Sequence, residues 1–340
     1  MIDINSQKLI SYNIVLTYKC NLNCKHCFNV KANEVMSEDL LDKANKFVCD
    51  HINSHTIPEF EVQYIGGEIG IVDQKLIKSS IEYIKNHTPG KKVRFLYQSN
   101  LAYELTDSHM EVLRSIDIIG TSYDYNIRFT TAKQRSLWFK NIKYLQSLGK
   151  NIQLVVTETK PLIKNVTPTM LLDFVMALDI HTLILNGCAI NNESNKLMAP
   201  KGEEAREWNY ELFLLYEKLK KSYDIRINEI ENTIDSYYGK KEFIHSRCCS
   251  LNNLTIQPNG DITTCIILSD RTIGNLLTNE AKYTLDEVWN MEKQVDPRCL
   301  ECKYFCYCNG CCQTFPIDET GCIVPYKIYE YLKNKESINE

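Results

Sequence analysis

Three cysteines in the run TYKCNLNCKHCF, at Cys20, Cys24 and Cys27, constrain this chain more than any other feature. They directly follow an apolar stretch and are spaced C-x3-C-x2-C, which places all three thiols on one loop. Three thiolates held that closely can bind three irons of a four-iron cluster and leave the fourth iron open. A fully ligated electron-transfer cluster takes four Cys. The spare iron therefore reads as a docking point for a substrate or cofactor.

Fifteen cysteines in 340 residues is a high count. In a secreted chain it would suggest disulfides. The first residues, MIDINSQKLISYN, lack a basic segment followed by an apolar one, so no signal peptide is expected. Tight C-x2-C clusters without an export signal point to metal ligation and a cytoplasmic, oxygen-poor setting. The net charge of −4 gives no sign of a nucleic-acid surface. No run of 18 apolar residues predicts a membrane span. The length allows one sizeable core or two domains.

Short apolar segments alternate with helical patterns, which predicts βα units around a parallel sheet, an α/β fold. The strand candidates are 12–17, 61–65, 93–98, 117–123, 152–158 and 182–187. One helix starts at the N-cap Ser37 and buries Leu40, Leu41, Ala44, Phe47 and Val48 at helical spacing. Another spans about 132–147, with Leu137, Trp138, Ile142 and Leu145 on one face. Gly66-Gly67-Glu68 follows the second strand: two glycines let the backbone approach a ligand closely, and the carboxylate can accept hydrogen bonds from an ammonium group.

A second set of cysteines fills the last hundred residues. Cys249, Gly260 and Cys265 read C-x10-G-x4-C, then Cys299, Cys302, Cys308 and Cys312 read C-x2-C-x5-C-x3-C, and Cys322 follows. Asn259-Gly260 between LTIQP and DITTCI is a hairpin-turn signal that would bring Cys265 back near Cys249.

Together these motifs resemble the radical S-adenosylmethionine enzymes that carry a C-terminal SPASM extension. The resemblance implies a partial (β/α)6 TIM-type barrel over residues 1–200 and a helical bridge over 201–244. A small Cys-rich domain with a β-hairpin and iron–sulfur clusters would cover 245–325, and a C-terminal helix or tail 326–340. In barrels of this kind active-site groups sit where strands end. The family's cofactors are S-adenosylmethionine, a [4Fe-4S] cluster at Cys20, Cys24 and Cys27, and two auxiliary [4Fe-4S] clusters. Gly66, Gly67 and Glu68 match the motif that holds the cofactor's amino group, with Ile69 in place of the usual Pro. Ser99-Asn100 matches a Thr-Asn-Gly turn in part, with Leu101 in place of Gly. Ser122-Tyr123-Asp124 resembles the family's Ser-Leu-Asp stretch. Ser122 and Arg135, or its rival Arg128, would hold the cofactor carboxylate through the two-pronged donor geometry of Arg.

By position, the second auxiliary cluster would take Cys299, Cys302, Cys308 and Cys322, and the first Cys249, Cys265 and Cys312. The position that supplies a fourth ligand in some relatives is Phe243 here. An open iron, a distorted loop using Cys248, and recruitment of His245 all remain for that cluster. Cys188, after the sixth strand, and Cys248 are candidate hydrogen-atom donors; the bland reading of Cys188 is a buried small residue. Cys49 reads as a core thiol, and Cys306 and Cys311 as bystanders or alternative ligands.

The resemblance implies hydrogen-atom abstraction from a ribosomal peptide or protein, ending in oxidation, a crosslink or epimerisation. An electron donor such as a flavodoxin or ferredoxin would serve as redox partner. About ten residues precede the first strand, so no winged-helix peptide-recognition domain is expected there. Three alternatives stand beside this reading: a small-molecule oxidant acting on a sugar or nucleotide derivative, an activase, and a non-enzymatic zinc protein.

Overall fold

The computed structural model describes residues 9–29, 31–239, 252–269, 271–278, 295–310, 312, 314–315 and 317–339. Six parallel strands form its centre: β1 (Leu9–Thr17), β2 (Glu59–Gly66), β3 (Val93–Ser99), β4 (Ile118–Ser122), β5 (Asn151–Glu158) and β6 (Thr182–Gly187). They lie side by side in sequence order, each joined to the next by a helical crossover, as parallel pairing requires. This is the expected partial (β/α)6 barrel, and each predicted strand falls within two or three residues of its observed limits.

Helix α1 (Glu38–Ser54) starts where the sequence places it: Ser37 Oγ accepts the Leu40 N–H at 3.3 Å, and Glu38 and Asp39 sit in the first turn. Such a cap contributes about 1 kcal/mol. α2 (Gln74–His87), α3 (Asp107–Arg114) and α4 (Ala132–Ser147) cover the following crossovers. Phe47 and Leu137, expected at the centre of their helix faces, are only half-buried; Asn45 and Asn141 take buried places instead. Asn141 earns its place by donating to the carbonyls of Leu101 and Tyr103, which no apolar side chain could satisfy.

In β2 and β5 buried residues alternate with half-buried ones. Phe60, Val62, Tyr64, Ile152, Leu154 and Val156 join the apolar core with helix residues such as Ile77, Ile81 and Trp138. The alternate face carries Glu61, Gln63, Gln153 and Thr157. A parallel sheet packed on both faces reads as continuous apolar strands, so this one has a polar, partly open inner face. Arg94 and Ser11 meet on Glu61 there, and Asn13 donates to Asn253 and Thr255.

The sheet continues past the six expected strands. The two-residue β7 (Arg226–Ile227) pairs with β6, between α8 (Gly202–Leu219) and α9 (Asn228–Tyr237). At the other edge β8 (Asn253–Ile256) pairs parallel to β1 and turns into β9 (Asp261–Thr263), followed by β10 (Thr272–Asn275). The Asn259-Gly260 turn forms, though only Gly260, at φ +88°, is left-handed. The Gln257 N–H donates to the Asp261 carbonyl at 2.8 Å, giving a four-residue loop in place of a tight two-residue turn. A helix at Lys327–Asn339 closes the chain. Among the described residues no helix is long and apolar enough to cross a membrane.

Candidate active site

The cysteine loop leaves the end of β1 and is clamped against the end of β2. Thr17 Oγ1 donates to the Glu34 carbonyl at 2.8 Å and accepts the Lys19 N–H at 3.0 Å. The Gly67 and Glu68 N–H groups then donate to the Thr17 and Lys19 carbonyls at 2.7 and 2.8 Å. This approach is why two glycines stand there: a Cβ on Gly66 would come 2.4 Å from the Thr17 oxygen, and one on Gly67 2.2 Å from that of Lys19. Asn29 Nδ2 ties the far side of the loop to the Gly66 carbonyl at 2.9 Å.

Cys20 is exposed, Cys24 buried and Cys27 half-buried on this loop. Burial pushes the Cys20 thiol up to about 11, although the Leu22 N–H 3.3 Å from its sulfur works the other way. Thiols in that state ionise when a metal supplies the positive charge. Among the described residues no three His, Cys, Asp or Glu side chains converge on a single-ion site.

The Glu68 carboxylate is 1% exposed and accepts three internal hydrogen bonds, from Gly70 N–H, Ser99 Oγ and Asn100 N–H, at 2.8, 2.7 and 2.6 Å. Burial raises its pKa, and the three donors oppose that rise. Glu68 thus knits the ends of β2 and β3 together, and one acceptor position on Oε2 remains for an ammonium group. Asn100 Nδ2 donates to Asn21 Oδ1 in the cysteine loop at 2.7 Å. Leu101, where the family has Gly, keeps a left-handed backbone at φ +50° with its side chain wholly buried. That conformation costs a non-glycine residue about 1 kcal/mol. The Ser99 hydroxyl accepts the Leu101 N–H at 3.0 Å and Asn141 holds its carbonyl, which together keep the turn in place.

Asp124, just past β4, is 1% exposed and joins three elements. It accepts the Thr157 N–H of β5 at 2.8 Å, pairs with His26 Nε2 of the cysteine loop at 2.9 Å, and takes Arg128 Nε at 2.6 Å. Burial alone would raise its pKa, but Arg128, His26 and the Thr157 N–H hold it well below the usual carboxylate range. Arg135 lies elsewhere: its Nη1 donates to the Phe129 carbonyl at 3.1 Å. The arginine beside the cysteine loop is Arg128, whose charge acts on Cys24 and Cys27. It is engaged by Asp124, which also meets His26 and the Thr157 N–H. Ser122 is buried, with Gln98 Nε2 3.4 Å from its hydroxyl.

His26, read in the sequence only as a ring beside the last cysteine, is 5% exposed, and its Nδ1 has no partner. An orphaned nitrogen and three thiols in the loop, with buried donors at the next two strand ends, fit a cluster with an organic cofactor bound beside it.

Cys188 follows β6 as expected, but it is 1% exposed and donates its S–H to the Asn195 carbonyl at 3.6 Å. Burial, reinforced by Asp124 and Glu158, pushes its pKa up to about 12, so it keeps its hydrogen at neutral pH. Cys49 is a core thiol and Cys306 is exposed.

In the Cys-rich segment burial pushes Cys308 up to about 12, with Cys322, Cys302 and Cys299 all close enough to add to the shift. Those four thiols therefore share one neighbourhood. Arg298 secures it by donating to the Ile317 and Asp318 carbonyls of the hairpin that carries Cys322. Cys265 is buried and Cys312 lies 3.1 Å from Thr314 Oγ1. His245, Cys248, Cys249 and Cys311, together with the Phe243 position, lie outside the described residues.

Residues 12–138 match a family model described as a 4Fe-4S single cluster domain. The chain is 22% identical over 342 residues to a serine-type anaerobic sulfatase-maturating enzyme of Bacteroides thetaiotaomicron, covering 86% of this chain and 80% of the relative. Its fold superposes on the structure of anSMEcpe with bound AdoMet at a TM-score of 0.78 and 17% identity, covering 97% of this chain and 98% of that one. SuiB from Streptococcus suis matches at a TM-score of 0.63 and 16% identity, covering 90% and 73%. These likenesses show the fold of the radical S-adenosylmethionine enzymes that carry a SPASM extension. Sequence reasoning missed the binding roles of Asn21, Asn29 and Thr157, which act through the backbone and leave no spacing signal. It also missed Glu158, whose one signal is a carboxylate ending an otherwise apolar strand.

Proposed function

We propose that this chain is a radical S-adenosylmethionine enzyme of the SPASM group, with S-adenosylmethionine and [4Fe-4S] clusters as cofactors, and that it modifies a peptide or protein by removing a hydrogen atom from one of its carbons. The observation that carries the reading is the docking of the cysteine loop onto Gly66-Gly67-Glu68, Ser99-Asn100 and Asp124 at the ends of β2, β3 and β4. Two relatives of the same fold are known with peptides: anSMEcpe with AdoMet and a Cp18Cys peptide, and SuiB with its precursor peptide SuiA.

When bound, the cluster and S-adenosylmethionine supply a one-electron cleavage that yields the 5′-deoxyadenosyl radical. The chain's own residues do the rest. Cys20, Cys24 and Cys27 hold the cluster, with Arg128 and Asp124 fixing the loop from below. Gly66 and Gly67 let the cysteine loop pack against the end of β2, Glu68 would take the cofactor's ammonium and Ser122 its carboxylate, with Ser99 and Asn100 holding the turn beside them. Cys299, Cys302, Cys308 and Cys322 hold one auxiliary cluster, and Cys265 and Cys312, with Cys249, serve the other. A flavodoxin or ferredoxin supplies electrons. The domain limits at about 200, 244 and 325 belong to the same proposal.

The test is anaerobic incubation of the reconstituted enzyme with short peptides encoded beside its gene. Formation of 5′-deoxyadenosine together with a peptide lighter by two hydrogens means oxidation or a crosslink. An unchanged oxidation level with solvent deuterium incorporated means inversion. Cofactor cleavage that alters only a small molecule overturns the peptide reading. A Cys188→Ala variant that still inverts its peptide with the same deuterium incorporation removes Cys188 as the hydrogen donor.

A further inference from the structure

β4 carries a glycine at its centre, Gly120, although every residue of that strand is buried and strands favour a side chain that packs. On the helix side of β4, Thr121 accepts the Trp138 Nε1–H of α4 at 2.9 Å. Gly120 and Ser122 therefore share the opposite, inner face of the sheet. On β3, Phe95 and Tyr97 join the core beneath the helices, so Gln98 points to the same inner face. Gln98 and Gly120 stand directly opposite each other in the parallel register.

That pairing explains the glycine. A Cβ on Gly120 would lie 2.0 Å from Gln98 Oε1 and 3.0 Å from its Cδ. The glutamine amide thus fills the space that a side chain of β4 would need. Lying across the strand, it brings Nε2 to 3.4 Å from Ser122 Oγ, a long hydrogen bond.

The direction of this bond matters. An amide nitrogen only donates, whereas a hydroxyl has one proton to give and two lone pairs to receive with. Ser122 is 7% exposed, and Gln98 is the one hydrogen-bond partner of its hydroxyl among the described residues. With its oxygen engaged from β3, Ser122 keeps its proton for an acceptor, and an ionised acceptor gains most from it.

We infer that Gln98 is a positioning residue for the cofactor carboxylate: seated in the gap at Gly120, its amide donates to Ser122 Oγ and commits the Ser122 O–H to donate to the carboxylate of S-adenosylmethionine. The inference rests on the proposed binding of S-adenosylmethionine at this site and adds the pair of residues that aims Ser122. Gln98 touches no reacting atom. Gly120 belongs to the same arrangement, because a larger residue there displaces the amide.

The test uses cluster-loaded enzyme without reductant and two ligands, S-adenosylmethionine and its decarboxylated form, which lacks only the carboxylate. Binding of each is measured by anaerobic equilibrium dialysis. Gln98→Glu keeps the shape of the side chain but puts an oxygen where the NH2 was, which takes the Ser122 proton and repels a carboxylate. It should weaken S-adenosylmethionine about tenfold or more, the scale of one charge-assisted hydrogen bond, and leave the decarboxylated ligand unchanged. Gln98→Met fills the gap without a donor and should cost about three- to tenfold, the scale of one neutral hydrogen bond. Gly120→Ala should reproduce the Gln98→Met loss. Added to Ser122→Ala, which has no hydroxyl to aim, Gln98→Met should cost nothing more. Iron content should match wild type in every variant. Wild-type affinity in both Gln98 variants, equal losses for the two ligands, or additive losses in the double variant would overturn the inference alone. A wild-type enzyme that loads its clusters yet binds no S-adenosylmethionine would overturn the reading of the site as well.

Discussion

Asp124 follows β4 and Glu158 closes β5, the neighbouring strand, and the two carboxyl groups are 1% and 3% exposed. Asp124 has Arg128, His26 and the Thr157 N–H around it and is held far below its usual range. Glu158 has a neutral Asn209 and a second carboxyl, Glu229, and burial pushes it up to about 8. Glu68, after β2, stands between them, with three neutral donors and no cation in contact. Burial of a carboxylate is therefore not what separates these sites. The neighbouring charge is: among the described residues Asp124 meets a cation, whereas Glu158 faces a second carboxyl.

The largest effect should come from making Asp124 resemble Glu158. Arg128→Met leaves the Asp124 carboxylate buried without its cation, and removing one partner of such a pair costs about 3–5 kcal/mol. Anaerobic urea unfolding should show that loss at pH 7, and adding Asp124→Asn should restore most of it. A single variant as stable as wild type would break the contrast. The pH dependence supports the same expectation: Asp124's depressed pKa contributes stability above its unfolded value of 3.8, which fades as the pH falls below it.

Glu158 should run the other way. Its folded pKa lies above the unfolded value of 4.5, so the folded state binds the extra proton between 4.5 and about 8. Stability from this group is complete below that window and is lost as the pH rises through it. Glu158→Gln should therefore gain on wild type by about 4 kcal/mol between pH 5 and pH 8.5. A difference that does not change with pH would mean Glu158 already has a counter-charge.

Ser99→Ala should give the smallest change. It removes one of three neutral donors from Glu68 and should cost about 1–2 kcal/mol, measured by the same unfolding at pH 7. A loss as large as that of Arg128→Met would show that neutral donors can do the work of a cation here, and would blur the comparison.

Much of this was legible in the sequence. The six strands and the Ser37 cap follow from periodicity and from residue type at one helix start, both of which are local, whereas the docking of the cysteine loop on Gly66-Gly67-Glu68 is a tertiary contact. The choice between Arg128 and Arg135 was not local. Arg128 lies in the turn before α4 and Arg135 in the first turn of that helix, and only the fold shows that the first meets Asp124 while the second donates to the Phe129 carbonyl. Leu101 read as a departure, yet its backbone keeps the left-handed turn because Ser99 and Asn141 hold the N–H and carbonyl on either side.

The sequence by itself determined which atoms are available: three thiols on one loop, glycines where backbones must touch, and alternating strands and helices. Those depend on residue type and on spacing over a few residues. Tertiary structure decided which charges meet. Glu158, Asn209 and Glu229 are separated by 51 and 20 residues in the chain and line one cavity only where β5, α8 and α9 pack together. Their electrostatics follow from distance and burial, and neither is encoded by nearest neighbours in the chain.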